Sequence, residues 1–360
     1  MDQQRRPNGL AFYPLTYRHN SGTTTAVVVP EWGANVVGLA FHDHRWSWPV
    51  PILESVDLST IASGPTSYGM PILAPTPGRV GRDQSGLFLY RGKQYRITPP
   101  RHGFLRNLPW QIASISENAI ACTIDIRPDD FRDADAFPFH FEAANFLTVS
   151  PGALQSRVVI TNTGTDLLPI AMGWHPYLHR SGECVVHLPA RSRWELDDKP
   201  EPTPTGVITP VSDHDDFRHG RRVLPDDHWD HVFTDLEMAD EHVLCCVEEP
   251  TTIANKDGTR ESMITRRRLE LSGSATRAGS GIIPHVQLYT PRGRNAICLE
   301  PLSAPPDALN LLARGHRSNG ISELQPNDTI SFEIELSITV RPAAAETDAS
   351  KPSRHQDILS

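Results

Sequence analysis

The sequence predicts an all-β protein, a single large antiparallel β-sandwich, on three observations. Apolar residues recur with period two far more often than with the helical 3.6. The 32 prolines and 24 glycines are dispersed along 360 residues, which shortens elements and multiplies turns. No βαβ rhythm is visible, so a parallel α/β sheet is disfavoured. The length permits one or two domains, and all-β folds reach this size undivided.

In chain order, residues 1–8 are polar and lead into no apolar signal-peptide core, which predicts a flexible N-terminus ahead of one β-sandwich domain at 9–342. FEAANFLTVS ends at Pro151-Gly152, and Leu154, Ser156, Val158 and Ile160 then alternate as far as the turn former TNTGTD. Two β segments joined so tightly read as a hairpin. The proline- and aspartate-rich stretch 197–227 reads as an excursion within the domain, because strand-like residues resume at HVFTDL. ADEHVLCCVEE is the nearest approach to an amphipathic helix and is equally readable as a strand. Arg266, Arg267 and Arg268 read as a solvated strand face. The cleanest strand is ISFEIELSITV, with Ile330, Phe332, Ile334, Leu336, Ile338 and Val340 on one face and Ser331, Glu333, Glu335, Ser337 and Thr339 on the other. After it, residues 343–360 mix alanine, proline and charge and are expected to form a flexible tail.

Composition excludes several classes of function. A formal net charge of -9, with no basic run longer than the arginine triplet, makes nucleic acid an unlikely partner. No run of about 18 apolar residues exists to cross a bilayer. Five cysteines with no repeated spacing do not form a disulfide scaffold, and a soluble, cytoplasmic setting is expected. The 16 histidines include no HExxH and no local ligand spacing, so no metal and no cofactor is expected.

Two segments stand out chemically. In MGWHPYL, His175 lies among Trp174, Pro176 and Tyr177, and aromatic neighbours suit the apolar face of a sugar. A packed, hydrogen-bonded structural histidine is the plainer reading of that segment alone. In NAICLEPLSAPPDA, Ile297 and Leu299 point one way while Cys298 and Glu300 point the other. A carboxylate partly buried there is either salt-bridged or raised in pKa toward the range of a general base. Weaker candidates are Arg79 after Pro77-Gly78, His102 before Gly103, and Asp230 beside Trp229. Spacing alone does not say that these residues converge.

Together, the segments VVVPEWGANVVGL, YGMPILAPTPGRV, GLFLYRGKQY, HGFLRNLPW, MGWHPYL, WDHVF and VQLYTPRGRNAICLEP resemble, in order, the aldose 1-epimerase (mutarotase) family and its galactose mutarotase-like relatives. The resemblance runs from about residue 24 to 338 and implies a supersandwich with a sugar cleft on the concave face of a sheet. It implies His175 as general acid, Glu300 as general base, His102 near the ring oxygen, and Arg79 and Asp230 on sugar hydroxyls. Tyr177 or Trp229 would lie against the sugar's apolar face. The sequence departs from the family at Gly78, where many members carry asparagine. Arg106 resembles a feature of the phosphosugar relatives, and Arg82 joins it as a candidate phosphate ligand, with a surface salt bridge as the plainer reading of both. The implied activity is anomer interconversion of a free aldose, by a monomer or homodimer, with a bell-shaped pH profile. A hexose-6-phosphate 1-epimerase and a non-catalytic sugar-binding protein are the alternatives.

Overall fold

Strict alternation along a strand leaves one face for a core and one for water or a ligand, and that rule organises the molecule. The computed structural model describes residues 4–5, 10–55, 67–81, 83, 85–130, 136–199, 201–239, 242–272, 281–316 and 319–343. Within these the protein is built almost wholly of antiparallel strands, with one short α-helix at Ala308–Ala313.

The expected hairpin is present: Phe141–Ser150 pairs with Ala153–Asn162, and Ser150 faces Ala153 across the Pro151-Gly152 turn. Gly152 takes a positive φ of 67° there, which glycine adopts without steric cost. The strand Thr329–Pro342 buries Ile330, Phe332, Ile334, Leu336 and Ile338, the face read from the sequence. It pairs with Ala153–Asn162 on one side and Arg260–Ser272 on the other. These strands are the centre of a nine-stranded sheet that runs from Arg221–Val223 at one edge to Gln111–Ile115 at the other. The segment ADEHVLCCVEE belongs to a strand of this sheet, His242–Ala254.

An eight-stranded sheet packs on the nine-stranded one. Its path is Pro204–Pro210, Ala190–Leu196, Asp230–Leu236, His285–Tyr289, Ala296–Leu302, Gly173–Trp174 and Ile72–Leu73, with Tyr177–His179 also paired to Ala296–Leu302. One continuous core joins the two sheets, taking Val158, Leu269 and Phe332 from one and Phe233, Leu288, Ile297 and Leu299 from the other. Trp174 is fully buried between them and donates its indole N–H to Ser156 Oγ at 3.0 Å. A five-stranded sheet built on Ala11–His19, Gly22–Val29 and Asn35–Asp43 adds Leu15, Ala26, Val28 and Leu39 to the same core. The excursion at 197–227 contributes edge strands to both large sheets.

Two sequence expectations change. Arg266 and Arg268 are half-buried, but Arg267 is only 1% exposed and holds Glu249 at 2.8 Å. Period two forces this result: where the outer arginines face out, the middle one faces in, and burial then demands a carboxylate partner. At the N-terminus, Gln4–Arg5 pairs with Phe12 and Ala11 as a short edge strand, so that part of the stretch expected to be loose is paired. The expected tail beyond residue 343 lies outside the described residues. All five cysteines are buried and free, in keeping with the absence of a disulfide scaffold. No helix among the described residues is long and apolar enough to cross a membrane.

Candidate active site

The site forms on the side of the eight-stranded sheet that turns away from the core. Along Ala296–Leu302, Ile297 and Leu299 enter the main core, whereas Cys298 packs with Tyr177 and Tyr289 in a separate cluster on the opposite face. Glu300, two residues on, shares the Cys298 face. Its cross-strand partner is Gln287, and Cys298 is flanked by Tyr289 on one side and Tyr177 on the other. Asp230 stands opposite Tyr289, and Gln287 donates to Asp230 Oδ1 at 2.5 Å. Three adjacent strands thereby bring Asp230, Gln287 and Glu300 to one face of the sheet, with Asp230 two residues along from the Gln287–Glu300 register.

His175 follows Trp174, so the same alternation that buries the indole in the core turns the imidazole to the other face. Its Nε2 lies 3.2 Å from Glu300 Oε1. The ring stacks on Tyr177 at 4.4 Å and meets the His102 ring edge-on at 5.3 Å. Burial governs the charge states of the pair. It lowers the His175 pKa to about 3, with the Arg106 charge adding to the effect. It also pushes the Glu300 carboxyl well above the usual range, aided by Asp230 and opposed by Arg79 and Arg106. A buried pair under these pressures favours neutral imidazole beside protonated carboxyl, one proton shared across the 3.2 Å contact. Glu300 Oε2, His175 Nδ1 and Gln287 Oε1 are buried with no hydrogen-bond partner in the protein. Orphaned polar atoms gathered at one place are costly unless a polar ligand meets them.

Two crossing loops supply His102 and Arg79. Phe104 N–H and Leu105 N–H both donate to Ala74 O, at 3.0 and 3.1 Å, and Val80 N–H donates to Pro100 O at 2.8 Å. Gly103 is required at this crossing, because a Cβ there would lie 2.1 Å from Ala74 O. His102 itself adopts φ 64° and accepts the Gly78 N–H on Nδ1 at 3.2 Å. That bond assigns the imidazole proton to Nε2, which makes it a donor. Burial, reinforced by the Arg106 charge, keeps this ring neutral. Gly78, where the resemblance implies asparagine, has φ +67°, and a Cβ there would meet Pro306 Cγ at 2.4 Å. Asp307, next to that proline, accepts Gly81 N–H and donates its own N–H to Arg79 O at 2.7 Å, fixing the arginine loop.

Arg79 donates from Nε to Glu201 at 2.6 Å, from NH1 to Pro202 O at 3.4 Å and from NH2 to Asp230 Oδ2 at 3.0 Å. Glu201 also binds Arg101, through the same carboxylate oxygen. The structure therefore brings His175, Glu300, His102, Arg79 and Asp230 into one linked constellation. Trp229 and Tyr177 line the adjoining cleft, of about 800 Å³. Tyr177 is covered on its ring by His175 and by the Arg294 guanidinium, each 4.4 Å from its centroid, and so offers the cleft its edge. Arg106 is buried rather than on a surface, and donates to Arg101 O at 3.2 Å. This removes the plain reading of a surface salt bridge, while Arg82 lies outside the described residues. Sequence reasoning missed Gln287, Glu201, Arg101 and Asp307. Gln287 alone left a trace, as a polar residue interrupting the apolar run VQLY.

The described residues contain one group with three metal-type ligands in reach of each other, His187, Cys246 and Glu248. It lies on the nine-stranded sheet, Glu248 is already engaged by Arg266, and burial raises the Cys246 thiol to about 11. That donor set belongs to a different sheet from Glu300.

The model of the aldose 1-epimerase family matches residues 16–337. Among curated proteins, YihR of Escherichia coli K12 is 23% identical over 316 residues, covering 82% of this chain and 89% of its own length. Among solved structures, a galactose mutarotase-like protein of Clostridium acetobutylicum superposes with a TM-score of 0.67 at 18% identity, covering 91% of this chain and 98% of the other. The GalM/aldose epimerase homologue of C. elegans gives 0.66 at 17% identity, with 91% and 99% covered. At such identities the likeness is one of fold, and the fold is that of the galactose mutarotase-like proteins.

Proposed function

This chain belongs to the aldose 1-epimerase family, and from that premise we propose that it interconverts the α and β anomers of a free aldose such as glucose or galactose. The observation that carries the proposal is the buried contact of His175 with Glu300, beside orphaned polar atoms and next to an open cleft walled by Tyr177, Asp230 and Tyr289. Mutarotation moves two protons and no electrons, so an acid and a base held together suffice.

For ring opening, Glu300 takes the proton of the anomeric hydroxyl while His175, as imidazolium, protonates the ring oxygen. The bond between the anomeric carbon and the ring oxygen breaks, leaving an aldehyde, neutral His175 and protonated Glu300. The aldehyde end then turns about the adjacent carbon–carbon bond. On closure His175 removes the proton of the attacking hydroxyl and Glu300 returns its own to the carbonyl oxygen, giving the other anomer. The pair carries one proton throughout. Burial favours neutral imidazole with protonated carboxyl, the form that faces the open-chain aldehyde. The 3.2 Å contact lets the proton cross to His175 when a closed sugar arrives.

His102 supports this role by presenting an Nε2–H donor toward the ring oxygen, and Arg79 and Asp230 serve the sugar hydroxyls. Trp229 and Tyr177 both stand at the cleft wall, each with its ring packed by protein neighbours. Polarimetry of freshly dissolved α-glucose and α-galactose, with wild type and Glu300→Gln, tests the proposal. Acceleration over buffer that the substitution abolishes supports it; no acceleration with either sugar removes those substrates. Acceleration that survives the substitution removes Glu300 as base.

A further inference from the structure

Among the described residues, Glu201 is the one carboxylate beside the cleft that joins two guanidinium groups. It sits between the strands Ala190–Leu196 and Pro204–Pro210, on a connection whose neighbours Asp197, Asp198, Lys199 and Pro202 line the cleft. A single oxygen, Oε2, receives Arg79 and Arg101. The side chain is 35% exposed, and those of Arg79 and Arg101 are 14% and 40% exposed. The array therefore borders solvent and is open to a ligand. It runs without a break from Arg101 through Glu201, Arg79 and Asp230 to Gln287, the cross-strand neighbour of Glu300.

Alternating donors and acceptors of this kind suit hydroxyl groups. A hydroxyl accepts from a guanidinium and donates to a carboxylate at once. A carboxylate substituent can only accept; it would have to displace Glu201 from both arginines while facing its charge. Without Glu201, Arg101 loses its ion-pair partner and Arg79 keeps only Asp230, leaving two adjacent guanidinium groups at the cleft.

Resting on the mutarotase reading, we propose that Glu201 is the residue that sets selectivity for uncharged aldoses, by occupying the arginine pair on which an acidic sugar would otherwise bind. The substrate class it excludes is the hexuronates.

The test compares wild type, Glu201→Gln, Glu201→Asp and Glu201→Gln/Arg101→Ala. Mutarotation of α-galactose and of α-galacturonic acid is followed at one ionic strength, and calorimetric binding of both sugars is measured alongside. Wild type is expected to favour galactose in kcat/KM. Glu201→Gln is expected to shift the ratio toward galacturonate about tenfold or more, through a lower KM for the acid. Glu201→Asp keeps the charge and the wild-type preference, and removing Arg101 as well abolishes the shift. An unchanged ratio in Glu201→Gln, or a wild type that already prefers galacturonate, overturns the inference. Absence of turnover with every sugar defeats the mutarotase reading instead. The binding arm then still decides the selectivity, and galacturonate binding no tighter in Glu201→Gln than in wild type overturns it.

Discussion

His175 Nε2 and Glu300 Oε1 lie 3.2 Å apart, both side chains almost wholly buried, with Glu300 on the strand Ala296–Leu302 and His175 on the connection between two short strands that both pair with it. Neither charge is supported by burial, so the two groups work as a unit with one proton.

A unit fails when either half is lost. Glu300→Gln and His175→Asn are each expected to lower kcat by ~10²–10⁴ while circular dichroism and Tm stay near wild type. The double variant should be little worse than either single one, since the second substitution removes nothing further. Additive losses in polarimetric rates would mean that the residues act separately.

The pH profile of kcat/KM should be a broad bell. In the proposed mechanism the pair acts while it holds one proton. Burial moves the acid limb below the ordinary histidine value of 6.5, toward about 3, and the alkaline limb above the ordinary glutamate value of 4.5. Activity therefore persists as pH falls through 6.5 and drops on the alkaline side when the Glu300 proton leaves. A narrow bell bounded by the unshifted values would show that burial does not control the pair.

Stability has its own pH dependence. His175 and His285 are buried and His102 is half-buried, and burial depresses all three pKa values below 6.5. Below pH 6.5 the unfolded chain binds protons that the folded state refuses, so stability falls as the pH drops, by up to about 1.4 kcal/mol per unit for each histidine. For His175 and His285 the loss levels off only near the folded value of about 3. Glu300, raised above 4.5, opposes this by holding a proton that the unfolded chain releases, but it is one group against three. Tm measured from pH 8 to pH 5 should fall, and His285→Asn should flatten the slope by one proton's worth.

Placing asparagine at position 78 should be harmful. Gly78→Asn meets Pro306 at 2.4 Å from its Cβ, and an expected cost of about 1–3 kcal/mol follows from the overpacking. Pro306→Ala in the same chain should recover part of it in a denaturant melt. A neutral Gly78→Asn would show that the loops around Pro306 yield freely.

Removing one half of the buried Arg267–Glu249 pair should be expensive. Arg267→Met leaves a carboxylate facing only Ser181 and is expected to cost about 3–5 kcal/mol, with Arg267→Met/Glu249→Gln less destabilised than the single variant. Equal losses would assign the effect to packing rather than to charge.

Much of the architecture was legible in the sequence because period two is a local property. The hairpin across Pro151-Gly152, the inward face of Thr329–Pro342, and the opposed directions of Ile297 and Glu300 all follow from alternation that neighbouring residues declare. The same rule, applied strictly, also turns Arg267 inward; reading the triplet by charge instead of by period placed it in solvent.

His175, Glu300, His102, Arg79 and Asp230 could be named from short motifs, but no motif carries the distances among them. Glu201 lies 122 residues from Arg79 and 100 from Arg101, and Gln287 lies 57 from Asp230. Their convergence depends on strand order in the eight-stranded sheet and on two loops crossed at Gly103. By itself, then, the sequence determined which faces are apolar and which residue types can move protons, since those are properties of single segments. Only the tertiary structure decided how deeply His175 and Glu300 are buried, and which carboxylate holds the arginines, because both depend on groups brought together from distant parts of the chain.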